Sequence, residues 1–386
     1  MQKPTMVALA GFLGAFAAGA QRVPPPAVHD SAGVRIVEHR TIKNAPVAFT
    51  IAVAPQIDLG GLKDDPITEL SSKNPFANAT RLSDGRYVAS DYSSIKVFDA
   101  KGKYIRTIGR AGDGPGEFHQ LREVCVATGD TLIAIGYGDR RISVFDSAGR
   151  HVRSFTAPGY ATEKPCFADG STLAHANPRV NPETSMPAER AATLDRIEDL
   201  AHVRSDGSGA GTIGWSHTQV FAGAQTINNS IASGRSVYVG DGRTAEIRIY
   251  SIDGKLTQII RWGDPLTPIT DEDAQRTVEP MRGGGRGSMP PRPHLAFVPA
   301  YAHLLADEAG RVWVQDYFLS SEPRGWTVFS SDGSLAGRVF LPRLAGANLT
   351  GIFELVSVHR DYVVLKWYDT ENGAMHLSLH SLQVAR

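Results

Sequence analysis

The stretch SIKVFDAKGKYIRTIGRAGDGPGEFHQL, residues 94–121, decides the fold. Its first half alternates apolar and polar positions on both sides of a Lys-Gly pair. That is the period of a strand, and the glycine supplies the positive φ that a tight hairpin needs. The pattern returns as RISVFDSAGRHVRSF, DLAHVRSDGSGAGTI, EIRIYSIDGKLTQII and GWTVFSSDGSLAGRV, turning at Gly102, Gly149, Gly207, Gly254 and Gly333. Seven residues before each glycine stands Ile95, Ile142, Leu200, Ile247 or Trp326. Six after stands Ile108, Phe155, Ile213, Ile260 or Val339. Upstream of each hairpin lies another strand, turn and strand: ATRLSDGRYVASD, VCVATGDTLIAIG, CFADGSTLAHA, SIASGRSVYVG and HLLADEAGRVWVQD. The unit is therefore four antiparallel strands, and four-stranded units in series are propeller blades.

The glycine cluster at 109–116 raises the question of a phosphate-cradling loop. Such a loop needs a following helix, whose N-terminal N–H groups face the anion. Here HQLREVCVATGD follows, which reads as a new strand. The glycines serve a blade-to-blade corner, with Pro115 fixing the turn and Glu117 and Phe118 expected to dock on the next blade. A sixth unit, IFELVSVHRDYVVLKWYDTENGAMHLSLHSL, supplies only three strands before the chain ends. The missing one is expected from the N-terminal part, either GVRIVEH (33–39) or AFTIAVAP (48–55). The predicted fold is all-β: a six-bladed β-propeller of four-stranded antiparallel blades, with an N-terminal strand completing the last blade and leaving no open ring.

The run RYVASDYSSIKVFDAKGKYIRTIGRAGDGPGEF resembles NHL-repeat propellers, whose repeats carry Phe-Asp-x-x-Gly and then Gly-rich corners ending Gly-Glu-Phe. From about residue 34 onward the chain is similar to a bacterial six-bladed beta-propeller family without assigned activity, with an early GPGEF corner and a late GRVWV strand. The resemblance implies the fold. It implies almost nothing about chemistry, because related propellers are enzymes, receptors and scaffolds.

The 386 residues hold 40 Lys+Arg and 40 Asp+Glu, so the formal net charge is zero. A nucleic-acid binder would show a basic excess, and none is expected as a partner. At the start, a Lys-bearing tip, the apolar run MVALAGFLGAFAAGA and Ala18-Gly19-Ala20 read as a signal peptide over 1–20, followed by a linker over 21–33. No later stretch could span a bilayer, so the mature chain is expected to be exported, periplasmic or secreted, without a membrane span. The two cysteines, Cys125 and Cys166, occupy equivalent places in the first strands of adjacent blades, near the axis. They are either bridged or two buried thiols.

Strand topology separates two faces of the disk. Turns after first and third strands are short. Connections after second strands and between blades are long, and both insertions, 177–195 and 263–297, fall on that second face. Long loops on a rigid scaffold are where binding concentrates. Candidate binding residues there are His119, Arg141, His175, Arg179, Trp215, Arg243, Arg282 and Tyr317, since Arg grips carboxylate or phosphate and aromatic rings stack on sugars or apolar ligands. Thr270 and Asp273 suggest a capped helix over roughly 271–281, ahead of an arginine-bearing loop. Second strands end in Asp91, Asp139, Asn177, Asp241, Asp316 and Asp369, which serve either their own loops or an axial cation. No metal ligands are assigned and no cofactor is predicted. The reading is an exported module that binds a small molecule, a glycan or a protein through its loop-rich face. The alternative is a metal-assisted, lactonase-like hydrolase or lyase at the axial mouth, for which a divalent cation such as calcium would serve.

Overall fold

Each hairpin seen in the sequence becomes the outer half of a blade in the computed structural model. The structure describes residues 23–60, 70, 76–180, 182, 195–219, 229–268, 270, 297–317, 325–344, 353–369, 371 and 374–385. The chain enters through four short strands: β1 (Ala27–Ser31), β2 (Val34–His39), β3 (Phe49–Ile51) and β4 (Ile57–Gly60). Blade 1 is β5 (Ala79–Arg81), β6 (Tyr87–Ser90), β7 (Ile95–Phe98) and β8 (Tyr104–Ile108). Blade 2 is β9 (Leu121–Ala127), β10 (Thr131–Gly136), β11 (Arg141–Phe145) and β12 (His151–Thr156). Blade 3 is β13 (Tyr160–Cys166), β14 (Thr172–Val180), β15 (Asp195–Val203) and β16 (Gly209–Gln219). Blade 4 is β17 (Asn229–Ser233), β18 (Ser236–Gly240), β19 (Glu246–Ser251) and β20 (Leu256–Trp262). Blade 5 is β21 (His303–Ala306), β22 (Val312–Gln315), β23 (Gly325–Phe329) and β24 (Leu335–Phe340). Blade 6 holds β25 (Phe353–Val358), β26 (Tyr362–Tyr368) and β27 (Met375–Val384).

The five turn glycines all sit at positive φ, between 75° and 90°. In each turn the residue three before the glycine donates its N–H to the carbonyl one after it, as Asp99 does to Lys103 at 2.8 Å and Ser251 to Lys255 at 2.8 Å. The strand register slips just before the turn, between Val97 and Phe98, Val144 and Phe145, and Ile249 and Tyr250. A bulged hairpin of this kind needs a residue in the left-handed region, which glycine occupies without a Cβ clash. The short local code thus fixes the same turn five times.

Alternation then places one apolar face of every blade against each neighbour. Among the described residues six buried clusters result, one per blade junction. Phe118, Leu121 and Phe145 join blades 1 and 2, while Ile133, Ile142 and Ala174 join blades 2 and 3. Leu200, Ile213 and Val237 lie between blades 3 and 4, and Ile247, Leu304 and Phe329 between 4 and 5. Trp313, Trp326 and Val363 fill the junction of 5 and 6, and Leu59, Phe98 and Leu377 that of 6 and 1. The ring is closed.

The N-terminal region does more than complete one blade. β2 pairs in parallel with β20 at the outer edge of blade 4, and β1 pairs outside it. GVRIVEH is therefore a fifth strand of blade 4, and the segment expected as linker carries β1. Val47 then bridges to Arg338 on blade 5. β3 and β4 both run antiparallel to β27, so the outer strand of blade 6 comes from Phe49–Ile51, the core of AFTIAVAP, continued by Ile57–Gly60. Residues 27–60 form a strap across three consecutive blades. Side chains fasten it: His39 Nε2 to the Gly333 carbonyl at 2.8 Å, Thr41 Oγ1 to Asp264 at 2.6 Å, and His376 Nδ1 to Asp58 at 2.9 Å.

The GPGEF corner is structural. Gly109 has φ +75°, and a Cβ there would lie 2.4 Å from the Phe118 ring. Phe118 is buried against Phe145, as the sequence suggested. Glu117 behaves differently from the expectation: it folds back on its own loop, accepting from Gly114 N at 2.9 Å and Arg110 Nε at 2.7 Å. The loop's exposed N–H groups attract the carboxylate more readily than the neighbouring apolar blade does. Cys125 on β9 and Cys166 on β13 are bonded, with Cα atoms 6.1 Å apart, and so tie the innermost strands of blades 2 and 3.

Candidate functional site

Second strands end, third strands begin and fourth strands feed the next blade on one face of the disk. Most of both insertions lies outside the described residues, as do the expected signal peptide, the helix expected over 271–281 and Arg282. What is described on this face is dominated by blade 3. Its middle strands have 9 residues each and its outer strand 11, whereas second strands elsewhere have 4 to 7. At about 3.3 Å per residue the excess raises the edge of blade 3 by roughly 10 Å.

The raised edge carries three ordered clusters along its side toward blade 4. A bulge between Ala176 and Arg179, with Asn177 at φ 49°, turns Arg179 back onto the blade. Bulges commonly re-aim a side chain in this way. Arg179 Nη1 reaches Asp199 Oδ1 at 2.7 Å, and Asn177 Nδ2 reaches Asp199 Oδ2 at 3.1 Å. Directly across the ladder from Asp199 stands Trp215, 41% exposed, with the Arg248 guanidinium of blade 4 lying 4.2 Å over its ring. Farther along the same strand, buried His217 places Nδ1 3.5 Å from Asp241 Oδ2, which also receives Arg243 Nε at 3.0 Å. Burial alone would raise the Asp241 carboxyl. Contacts from His217 and Arg243 overcome it and hold the group at about 2.

On the side of blade 3 facing blade 2, His175 Nδ1 stands 3.2 Å from Ser216 Oγ and 3.3 Å from Glu198 Oε2. Both partners meet the same ring nitrogen, so the three residues do not form a nucleophile–base–acid relay, which needs the two nitrogens on opposite partners. Burial pushes the His175 ring down to about 4, and the positive charges of Arg122 and Arg196 add to the effect. An unfolded chain takes that proton near 6.5. The stabilisation is therefore complete above pH 6.5 and is lost as pH falls from 6.5 toward 4, reaching about 3 kcal/mol. Urea midpoints at pH 7.5 and 4.5 should fall further apart for the wild type than for His175→Gln. Parallel behaviour of the two proteins would remove His175 as the source.

At the axial mouth, Glu123 is buried and accepts from Asn78 Nδ2, while Lys164 Nζ lies 3.0 Å from its Oε1. This network links the first strands of blades 1, 2 and 3. The acids and amide ending the second strands are each engaged close to home. Asp91 pairs with Lys96 at 3.6 Å, Asp139 accepts from Arg141 N at 3.0 Å, and Asp369 accepts from Glu371 N at 2.7 Å. Asn177 and Asp241 are engaged as above, and Asp316 pairs with Arg338. Among the described residues no group of three or more His, Cys, Asp or Glu is placed to hold a metal ion.

The remaining candidates separate. His119 pairs with Asp113 on the corner loop and is exposed. Arg141 donates to the carbonyls of Asp113, at 2.8 Å, and Glu117, so it staples the corner of blades 1 and 2 to blade 2. Tyr317 lines a cavity between blades 4 and 5. The structure thus brings together Arg179, Trp215 and Arg243. His175 lies on the opposite side of the same blade. Arg248 was not among the candidates. It lies in mid-strand, alternating with Ile247 and Ile249, and only the approach of two blades sets it on Trp215.

Residues 79–168 match a family model described as a 6-bladed beta-propeller. A search of the curated proteins found no match. Among solved structures, the chain is similar to a Bacteroides fragilis protein inferred to be exported, at 10% identity and a TM-score of 0.49, covering 91% of this chain and 99% of that one. A member of the duf4221 family from Bacteroides vulgatus shows 10% identity and a TM-score of 0.45 over 88% and 99%. Virginiamycin B lyase of Staphylococcus aureus shows 8% identity and a TM-score of 0.37 over 87% and 100%. Among the described residues no helix is long and apolar enough to cross a membrane.

Proposed function

We propose that this propeller is an exported binding module that takes its ligand on the loop-rich face, along the raised edge of blade 3. One observation carries the reading: Trp215 is held open to solvent with Arg248 stacked on its ring, between the ion pairs Arg179–Asp199 and Arg243–Asp241. A half-exposed aromatic ring costs the free protein apolar surface in water, and it offers a flat face for a sugar or another planar ligand. The flanking arginines are fixed by carboxylates, so little side-chain freedom is lost on binding. The bonded cysteines support export, since disulfides persist in oxidising compartments.

The test is a screen of glycans and anionic metabolites by melting temperature and Trp fluorescence. Trp215→Ala should weaken a hit by about thirtyfold, the effect of truncating an aromatic hot spot, with little change in melting temperature. A hit insensitive to Trp215→Ala, Arg179→Ala and Arg243→Ala would overturn the placement. Elemental analysis of the purified chain accompanies the screen, and stoichiometric calcium would point instead to the metal-assisted reading.

A further inference from the structure

Among the described residues five arginines lie over aromatic rings. In three of these a carboxylate takes up the charge: Arg81 pairs with Asp361 at 3.1 Å, Arg311 with Asp307 at 2.6 Å, and Arg338 with Asp316. The other two guanidinium groups, Arg122 over Phe76 and Arg248 over Trp215, form no ion pair and no hydrogen bond with a described residue. They differ in what surrounds the ring. Phe76 is half-buried and carries the Tyr137 ring at 5.0 Å, whereas Trp215 keeps 41% of its surface in water.

A guanidinium held over a ring engages the π cloud with its flat side, and its N–H donors stay unused. Arg248 is half-buried, so it has lost part of its hydration and is still within reach of a ligand. The other charges of this surface are spent. Arg179 is on Asp199 at 2.7 Å and Arg243 on Asp241 at 3.0 Å, while Glu246, two residues along the strand from Arg248, is on Arg261 at 2.6 Å. One positive fork is left over, beside an open indole. Such a fork matches a carboxylate with two parallel hydrogen bonds. The ring suits a sugar, whose hydroxyls can donate to Asp199, directly across the ladder from Trp215, and accept from Arg179. A single exposed ring among charged pairs is unlike the continuous apolar centre of a protein interface. Resting on the reading of Trp215 as a ligand surface, we propose that the ligand is an acidic sugar: Arg248 receives its carboxylate and Trp215 carries its ring.

The experiment titrates the full mature chain by calorimetry with trisaccharides of glucuronate, galacturonate and mannuronate, beside the same trisaccharides with their carboxyl groups reduced to alcohols. One or more of the acids should bind one-to-one, about tenfold or more tighter than its reduced counterpart. Arg248→Met keeps an adaptable side chain against Trp215 and removes the fork. It should weaken the acid about tenfold or more and leave the reduced sugar unchanged, so that the preference disappears. Arg248→Lys keeps the charge without the fork and should restore only part of the preference. Retained binding of the reduced sugar shows that each variant is folded. Trp215→Ala should weaken acid and reduced sugar alike. Acids bound no tighter than their reduced counterparts, with both still dependent on Trp215, would overturn the acidic-sugar assignment and leave the binding surface standing. Equal losses of acid and reduced sugar in Arg248→Met, or no binding by any acid, would overturn it as well. Acid binding that is indifferent to Trp215→Ala would overturn the surface itself.

Discussion

A chain lacking residues 1–60 is expected to show no cooperative unfolding transition. The strap buries Ile36, Val37, Phe49, Ile51 and Leu59 against blades 4, 5 and 6. Each such side chain contributes about 2–3 kcal/mol, so the five together approach the whole stability of a folded chain, about 5–15 kcal/mol. Removal also bares the edge of β27 from Met375 to Val384, a long unpaired strand that invites association between chains. Circular dichroism melts and light scattering of the truncated chain read both consequences. A synthetic peptide of residues 23–60 added in trans should restore a sharp transition, because the strap joins the ring through strand pairing, buried side chains and side-chain hydrogen bonds and not through the turn code of the blades. Within the intact chain, fully buried Leu59 should cost about 2–5 kcal/mol on replacement by alanine. A truncated chain that melts sharply within a few degrees of the full one would show that the ring holds without its strap.

The contrast between blades and strap explains what could be read from residues alone. The hairpins repeat because each is encoded within about fifteen residues, glycine included, and nothing distant is needed to form the turn. GVRIVEH and AFTIAVAP have the same alternating period, and their partners lie more than two hundred residues away. Local sequence therefore cannot say that Val34–His39 joins β20 while Phe49–Ile51 joins β27. The site divides in the same way. Trp215 and Arg179 stood out by residue type on the predicted face. Arg141 stood out too, yet its guanidinium serves the carbonyls of a glycine corner that leaves its oxygens in need of donors. Arg248 was hidden by its isoleucine neighbours.

Reducing the Cys125–Cys166 bond is expected to lower the stability of the folded ring by about 4 kcal/mol, the chain-entropy value for a loop closed over roughly forty residues. The cross-link spans 41 positions, from the first strand of blade 2 to the first strand of blade 3. Its effect lies mainly in the unfolded chain, which gains freedom when the bond opens, whereas the folded blades are also held by Ile133, Ile142 and Ala174 packing across the junction. The comparison that isolates the bond is oxidised against reduced wild type in urea, since both keep the two sulfur atoms in place. The Cys125→Ala, Cys166→Ala double variant should match the reduced protein or fall slightly below it, through the lost contacts of two partly buried side chains. The midpoint should shift while the slope of the transition changes little, except for a modest increase as the unfolded chain expands. Coincident midpoints for oxidised, reduced and doubly substituted chains would mean that blade packing alone holds blades 2 and 3 together. The bond would then carry no stability, and its support for an oxidising destination would rest on its presence alone.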